Sequence, residues 1–86
     1  MPKNTKFGAL YIVATPIGNL DDISKRGLMI LDKVHLCAAE NTKNSKKLLK
    51  KYNLNTPLVS YHKYSEVSKL NFLISTLNSG EYIALI

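Results

Sequence analysis

Apolar residues gather into four short runs: Ala9 to Ala14, Val34 to Ala39, Leu58 to Tyr61 and Tyr82 to Ile86. The first is rich in β-formers and reads as a strand buried on both faces, and the runs together read as uniformly apolar, which predicts a parallel sheet. The stretches between them have a different period. Ile23, Gly27, Ile30 and Leu31 recur at three- and four-residue spacing on one helix face. Asn41 to Tyr52 carries a thin stripe of Leu48, Leu49 and Tyr52. Ser65 to Asn78 carries a fuller one of Val67, Leu70, Leu73, Ile74 and Leu77. Asp22 or Ser24 can cap the first helix, Asn41 or Thr42 the second and Ser65 the third. Gly80 stands where a C-terminal cap glycine belongs.

The order β-α-β-α-β-α-β predicts an α/β fold: an open parallel sheet with helices on its faces, joined by right-handed crossovers. Residues 1–7 show no periodicity and are expected to form a flexible basic tail, with the domain spanning 8–86. Ile86 falls inside the fourth apolar run, with no turn or polar tail behind it. The domain is therefore expected to be truncated.

Eighty-six residues suffice for one small domain that buries about 60–65% of its unfolded surface. Hydrophobic residues at 45% and charged residues at 21% match an ordinary globular chain rather than a disordered one. No apolar run approaches the roughly 18–20 residues that span a bilayer, and no signal peptide is visible, so a cytoplasmic protein is expected. Cys37 is the sole cysteine, which excludes an internal disulfide. Its apolar neighbours suit a core residue better than a reactive thiol. The net charge of +6 comes almost wholly from lysine. It reflects either coding bias or a phosphate-rich partner. The dense run Lys43, Lys46, Lys47, Lys50 and Lys51 is either a solvated helix face or an RNA-facing patch.

Loops that follow parallel strands gather at one sheet edge, and three carry candidate chemistry. Thr15-Pro16-Ile17-Gly18-Asn19-Leu20 is either a plain turn or a loop whose glycine admits a ligand close to backbone. It is neither a Walker loop nor a GxGxxG fingerprint. Glu40-Asn41-Thr42-Lys43 either caps the second helix or presents Glu40 as a proton acceptor or ribose contact. His62-Lys63-Tyr64-Ser65-Glu66 either opens the third helix or offers His62 and Glu66 for acid–base work. No Cys/His cluster has metal spacing, so no metal site is expected. His35 is expected to be structural, near the start of its strand and away from the loop edge.

Together these loops are more specific than any one alone. Leu10-Tyr11-Ile12-Val13-Ala14-Thr15-Pro16-Ile17-Gly18-Asn19-Leu20-Asp21-Asp22-Ile23-Ser24 resembles the opening of the small-subunit ribosomal RNA (cytidine-2′-O)-methyltransferases, within the tetrapyrrole-methylase-like superfamily. The resemblance runs from about Gly8 to Ile86. Glu40, Thr42, His62 and Glu66 match the family's motifs. Asn41 and Lys43 replace an acid and an arginine, and Ser65 replaces an asparagine, so a point-charge ammonium stands where a bidentate guanidinium is usual. The resemblance implies the N-terminal domain of a two-domain, homodimeric enzyme that binds S-adenosylmethionine in a cleft. It implies that Thr15, Pro16, Gly18 and Asn19 contact this cofactor. Glu40, His62 and Glu66 would position the nucleotide or manage its proton. Asn41, Thr42, Lys43, Lys46 and Lys47 would meet small-subunit ribosomal RNA. The rivals are a methylase for a tetrapyrrole or other small molecule, and a non-catalytic RNA-binding remnant.

Overall fold

A computed structural model describes residues 7–16 and 19–86. The tail residues 1–6, and Gly18 of the first loop, lie outside the described residues. The elements are β1 (Leu10–Ile12), a 3-10 turn (Leu20–Asp22), α1 (Lys25–Lys33), β2 (Leu36–Ala39), α2 (Thr42–Lys51), β3 (Leu58–Ser60), α3 (Val67–Asn78) and β4 (Ile83–Leu85). The four strands form one sheet in the order β1-β4-β2-β3, and every ladder is parallel. Cys37 pairs with Leu58 on one side and Ala84 on the other, which makes β2 an interior strand.

Alternation along the strands sorts the core into two layers. Cys37 and Ala84 face the helices α1 and α2, packing with Leu31, Leu48 and Leu49. Leu36, Ala38 and Ile83 face α3, packing with Leu73 and, at the margin, Leu77 and Leu85. All four residues of β2 are buried, as an interior strand between two helical layers requires. The expectation that the first run is buried on both faces does not hold. Leu10 is 50% exposed and Ile12 80% exposed. Among the described residues β1 is an edge strand whose one ladder partner is β4. The α3 cluster gathers Leu36, Ala38, Ile83 and Val59 but neither Leu10 nor Ile12, so the described residues of that layer do not cover this side of β1. Its other side is covered: Tyr11 packs against the α1/α2 layer and meets Tyr82 edge-on at 6.2 Å.

The helix ends follow from short polar side chains. Ser24 Oγ accepts the Gly27 N–H at 3.0 Å, so Ser24 rather than Asp22 caps α1. Asn41 Oδ1 accepts the Asn44 N–H at 3.2 Å and caps α2. At α3 the cap position is Glu66, with no side-chain cap bond, and not Ser65. The hydroxyl of Ser65 is spent one turn earlier, accepting the His62 N–H at 3.0 Å. Both α2 and α3 end in the same two-bond motif. Leu54 and Asn53 N–H donate to Leu49 and Lys50 carbonyls, and Glu81 and Gly80 N–H to Thr76 and Leu77. The left-handed residue is Asn53 at φ 55° in one and Gly80 at φ 94° in the other. Gly8 is required for a different reason. A Cβ there would overlap the Glu81 carbonyl oxygen, because the chain crosses against the end of α3.

Two buried-side hydrogen bonds tie α2 and its exit to the first half of the chain. Tyr52 Oη donates to the Leu20 carbonyl at 2.8 Å, and Thr56 Oγ1 to the Leu31 carbonyl at 2.6 Å. An exposed ion pair, Lys51 to Asp21 at 2.8 Å, runs alongside and adds little in water. Among the described residues no helix is long and apolar enough to cross a membrane.

The edge position of β1 sets up a contrast. Leu31→Ala, at a fully buried α1 position, is expected to cost about 3 kcal/mol. Ile12→Ala, inside a strand yet mostly in water, is expected to cost less than about 1 kcal/mol. Urea denaturation of the two variants measures the difference.

Candidate active site

The parallel ladders bring all four strand ends to one edge. An open crevice of about 460 Å³ lies there. Ile12 and Val13 come from β1 and its exit, and Leu85 and Ile86 from β4 and its exit. Glu40 stands directly after β2, and His62 just after β3. Glu40 and His62 line this one crevice with Tyr61, Lys63 and Ser65. The Glu40 N–H donates to the Ile86 carbonyl at 3.3 Å, which fixes the backbone beneath its carboxylate.

His62 is held by its own loop. Its N–H donates to Ser65 Oγ at 3.0 Å, and its Nδ1 accepts the Tyr64 N–H at 3.1 Å. The Tyr64 ring stands edge-on to the imidazole at 6.3 Å, with the Lys63 ammonium 5.0 Å from the Tyr64 centroid. An Nδ1 that accepts leaves the proton of the neutral ring on Nε2. The other nitrogen of His62 is therefore a donor, and Glu40 lines the same crevice with a carboxyl group that can accept. The pattern His-x-x-Ser carried this signal in the sequence. A hydroxyl three residues after the histidine reaches back to its backbone instead of forward to the helix.

The other predicted residues are distributed around this crevice rather than inside it. Glu66 lines an adjacent cavity of about 260 Å³. It is exposed, and its carboxylate accepts from Ser68 Oγ at 3.4 Å. His62 and Ser65 form the wall common to both cavities. Thr15 and Pro16 line a separate cavity of about 310 Å³ with Lys47 and Asn44 of α2. Asn19 is exposed, and its side chain accepts the Asp21 N–H at 2.9 Å, capping the 3-10 turn. Asn41 is occupied as the α2 cap. Thr42, Lys43 and Lys46 line a third, larger groove along α2. His35 lies at the opposite edge of the sheet, where its Nδ1 accepts the Tyr82 N–H at 2.9 Å and its ring lies over Tyr82 at 5.7 Å. Among the described residues no group of three or more His, Cys, Asp and Glu is gathered to hold a metal ion.

Cys37 is fully buried in the central strand, and burial pushes its thiol up to about 11. An acid whose folded pKa is raised holds its proton more tightly in the native state. Its contribution is whole below the unfolded value and is lost as pH rises towards the folded one. The unfolding free energy is therefore expected to fall between pH 9.0 and about 11. Cys37→Ala should lack that component in denaturation curves taken across the range. A second expectation concerns the caps. Asn41→Ala should lower stability by about 1 kcal/mol, while Glu66→Ala, which breaks no cap bond, should cost less than about 0.5 kcal/mol by the same measurement.

No family model matches the chain. Curated relatives do match it. The chain is 53% identical over 77 residues to the "Ribosomal RNA small subunit methyltransferase I" of Mycoplasmopsis pulmonis, covering 90% of this chain and 35% of that protein. It is 47% identical over 83 residues to the protein of the same name from Pasteurella multocida, covering 96% of this chain and 30% of the relative. The protein of that name from Bacillus subtilis is 47% identical over 79 residues, covering 92% and 27%. The chain thus spans about a third of the length of the curated relatives it matches. A parallel α/β sheet with strands and helices alternating along the chain as expected, and 53% identity over 90% of its length, make the chain a homologue of the ribosomal RNA small subunit methyltransferase I proteins.

Proposed function

We propose that the chain is part of a methyltransferase that uses S-adenosylmethionine to methylate the ribose 2′-hydroxyl of a cytidine in small-subunit ribosomal RNA, within a homodimeric full-length enzyme. The observation that carries this reading is the meeting of Glu40 and His62 in one crevice at the carboxyl edge of the sheet. The relatives' names support the reaction class and the RNA.

The chemistry of the crevice suits such a cofactor. Ile12, Val13, Leu85 and Ile86 offer an apolar wall for a planar base. When bound, the cofactor supplies a methyl group on a sulfonium. Thr15, Pro16, Gly18 and Asn19 are assigned to the same ligand on the resemblance; of these, Thr15 and Pro16 line the cavity of about 310 Å³.

The chain's own residues then divide the work. A hydroxyl attacks well only when held in line and within about 3–3.5 Å of its target. His62, fixed by Ser65 and the Tyr64 amide, presents Nε2–H to an acceptor on the nucleotide and so orients it. Glu40 accepts the hydrogen bond of the 2′-hydroxyl and takes its proton as the new bond forms. Glu66, across the wall formed by His62 and Ser65, acts on the flanking nucleotide rather than at the reacting oxygen.

In the full-length protein, Glu40→Gln is expected to lower methyl transfer to small ribosomal subunits by at least about 10²-fold. Cofactor affinity, read by calorimetry, should change less than threefold, because the amide keeps an acceptor oxygen. Unchanged turnover would remove Glu40 from the reaction.

A further inference from the structure

The net charge of +6 is not spread over the molecule. Between Glu40 and Glu66 the sequence holds six lysines and no acid, while the rest of the chain is balanced. The structure divides these lysines by task. Lys51 pairs with Asp21. Lys47 turns to the cavity of Thr15 and Pro16. Lys63 stands beside the Tyr64 ring in the crevice. The remaining three, Lys43, Lys46 and Lys50, fall at i, i+3 and i+7 on α2 and line one open groove of about 730 Å³. No ion pair engages these three among the described residues. Across from them the groove is completed by the segment after α2, with Asn55 and Thr56 as polar groups and Leu54 and Leu58 as apolar ones.

We propose that this groove between α2 and the segment leading into β3 holds the sugar–phosphate backbone of an RNA strand, as a track separate from the crevice. Seven residues of helix rise about 10 Å. Three ammonium groups spread along that line can each meet a phosphate of one strand. Leu54 and Leu58 give the riboses and bases an apolar surface, and Asn55 and Thr56 can hydrogen-bond sugar or phosphate oxygens. The helix itself favours such a partner. Like charges three and four residues apart on a helix repel, and α2 carries five lysines with no acid in its first turn. A polyanion seated in the groove removes that repulsion. The groove thus deepens the reading of the chain as part of an RNA-modifying enzyme, by naming where the strand lies outside the reacting nucleotide.

The test uses the 86-residue chain and a fluorescein-labelled single-stranded 12-nucleotide RNA, followed by anisotropy over a series of salt concentrations. No methyl donor is present, so this result and that of Glu40→Gln stand or fall apart. The variant Lys43→Gln/Lys46→Gln/Lys50→Gln is expected to bind at least tenfold more weakly, and to flatten the slope of log affinity against log salt by about 2. The charge-matched variant Lys25→Gln/Arg26→Gln/Lys33→Gln, on α1, should keep the wild-type slope to within about 0.5. RNA should raise the melting midpoint of the wild type but not of the groove variant, whose own midpoint should match or exceed that of the free wild type. Equal weakening by the two triple variants would overturn the proposal in favour of diffuse attraction. So would a wild-type chain that does not bind the RNA.

Discussion

The ladder bonds on the two sides of β2 are what the rest of the molecule hangs on. Leu36–Ala39 pairs with β4 along one edge and β3 along the other, and all three strands run the same way. Its residues alternate between the two helical layers, Cys37 towards α1 and α2, Leu36 and Ala38 towards α3. A one-residue slip of this strand would exchange the contents of both layers. It would also carry Glu40 off the edge where His62 waits. The small side chains Cys37, Ala38 and Ala39 therefore do two things. They let helices approach from both faces, and they place a carboxylate at a fixed height above the sheet.

Parallel order converts that packing into chemistry. Strands that all point one way leave all their exits on one side, so residues far apart in sequence meet without any dedicated scaffold. What the loops add is orientation. Ser65 and the Tyr64 amide hold the backbone and ring of His62, which decides that its free nitrogen donates. Asn41 and Asn19, both polar loop residues, spend their side-chain oxygens on backbone turns. The same residue types thus serve geometry in two loops and present chemistry in the third.

The apolar runs and helical stripes were legible because burial imposes a period on the sequence. Val67 to Asn78 and Leu36 to Ala39 read correctly for that reason. Lateral order in the sheet imposes no period, so the insertion of β4 between β1 and β2 could not be read. Nor could the bareness of Leu10 and Ile12, since an edge strand with one open face has the same composition as an interior one. In the site, the rule that loops after parallel strands converge was enough to bring Glu40 and His62 together. It was too coarse to separate Glu66, Thr15 and Pro16 into neighbouring cavities, because that depends on which way each helix leaves the edge. The cap of α3 was misread for a local reason. Ser65 had two backbone N–H groups within reach, and the His62 turn took it.

The pairing of β1 has a kinetic side. Leu10, Tyr11 and Ile12 form their ladder with Ile83, Ala84 and Leu85, across all three helices. By contrast β2, α2 and β3 are neighbours along the chain and can close on one another early. Contacts this distant carry the largest loop-closure cost and are made late. The strand that precedes the other three along this chain is thus among the last of them to dock. In the interval its apolar residues are open to chaperones or to other nascent chains, so yield during synthesis depends on how fast β4 arrives.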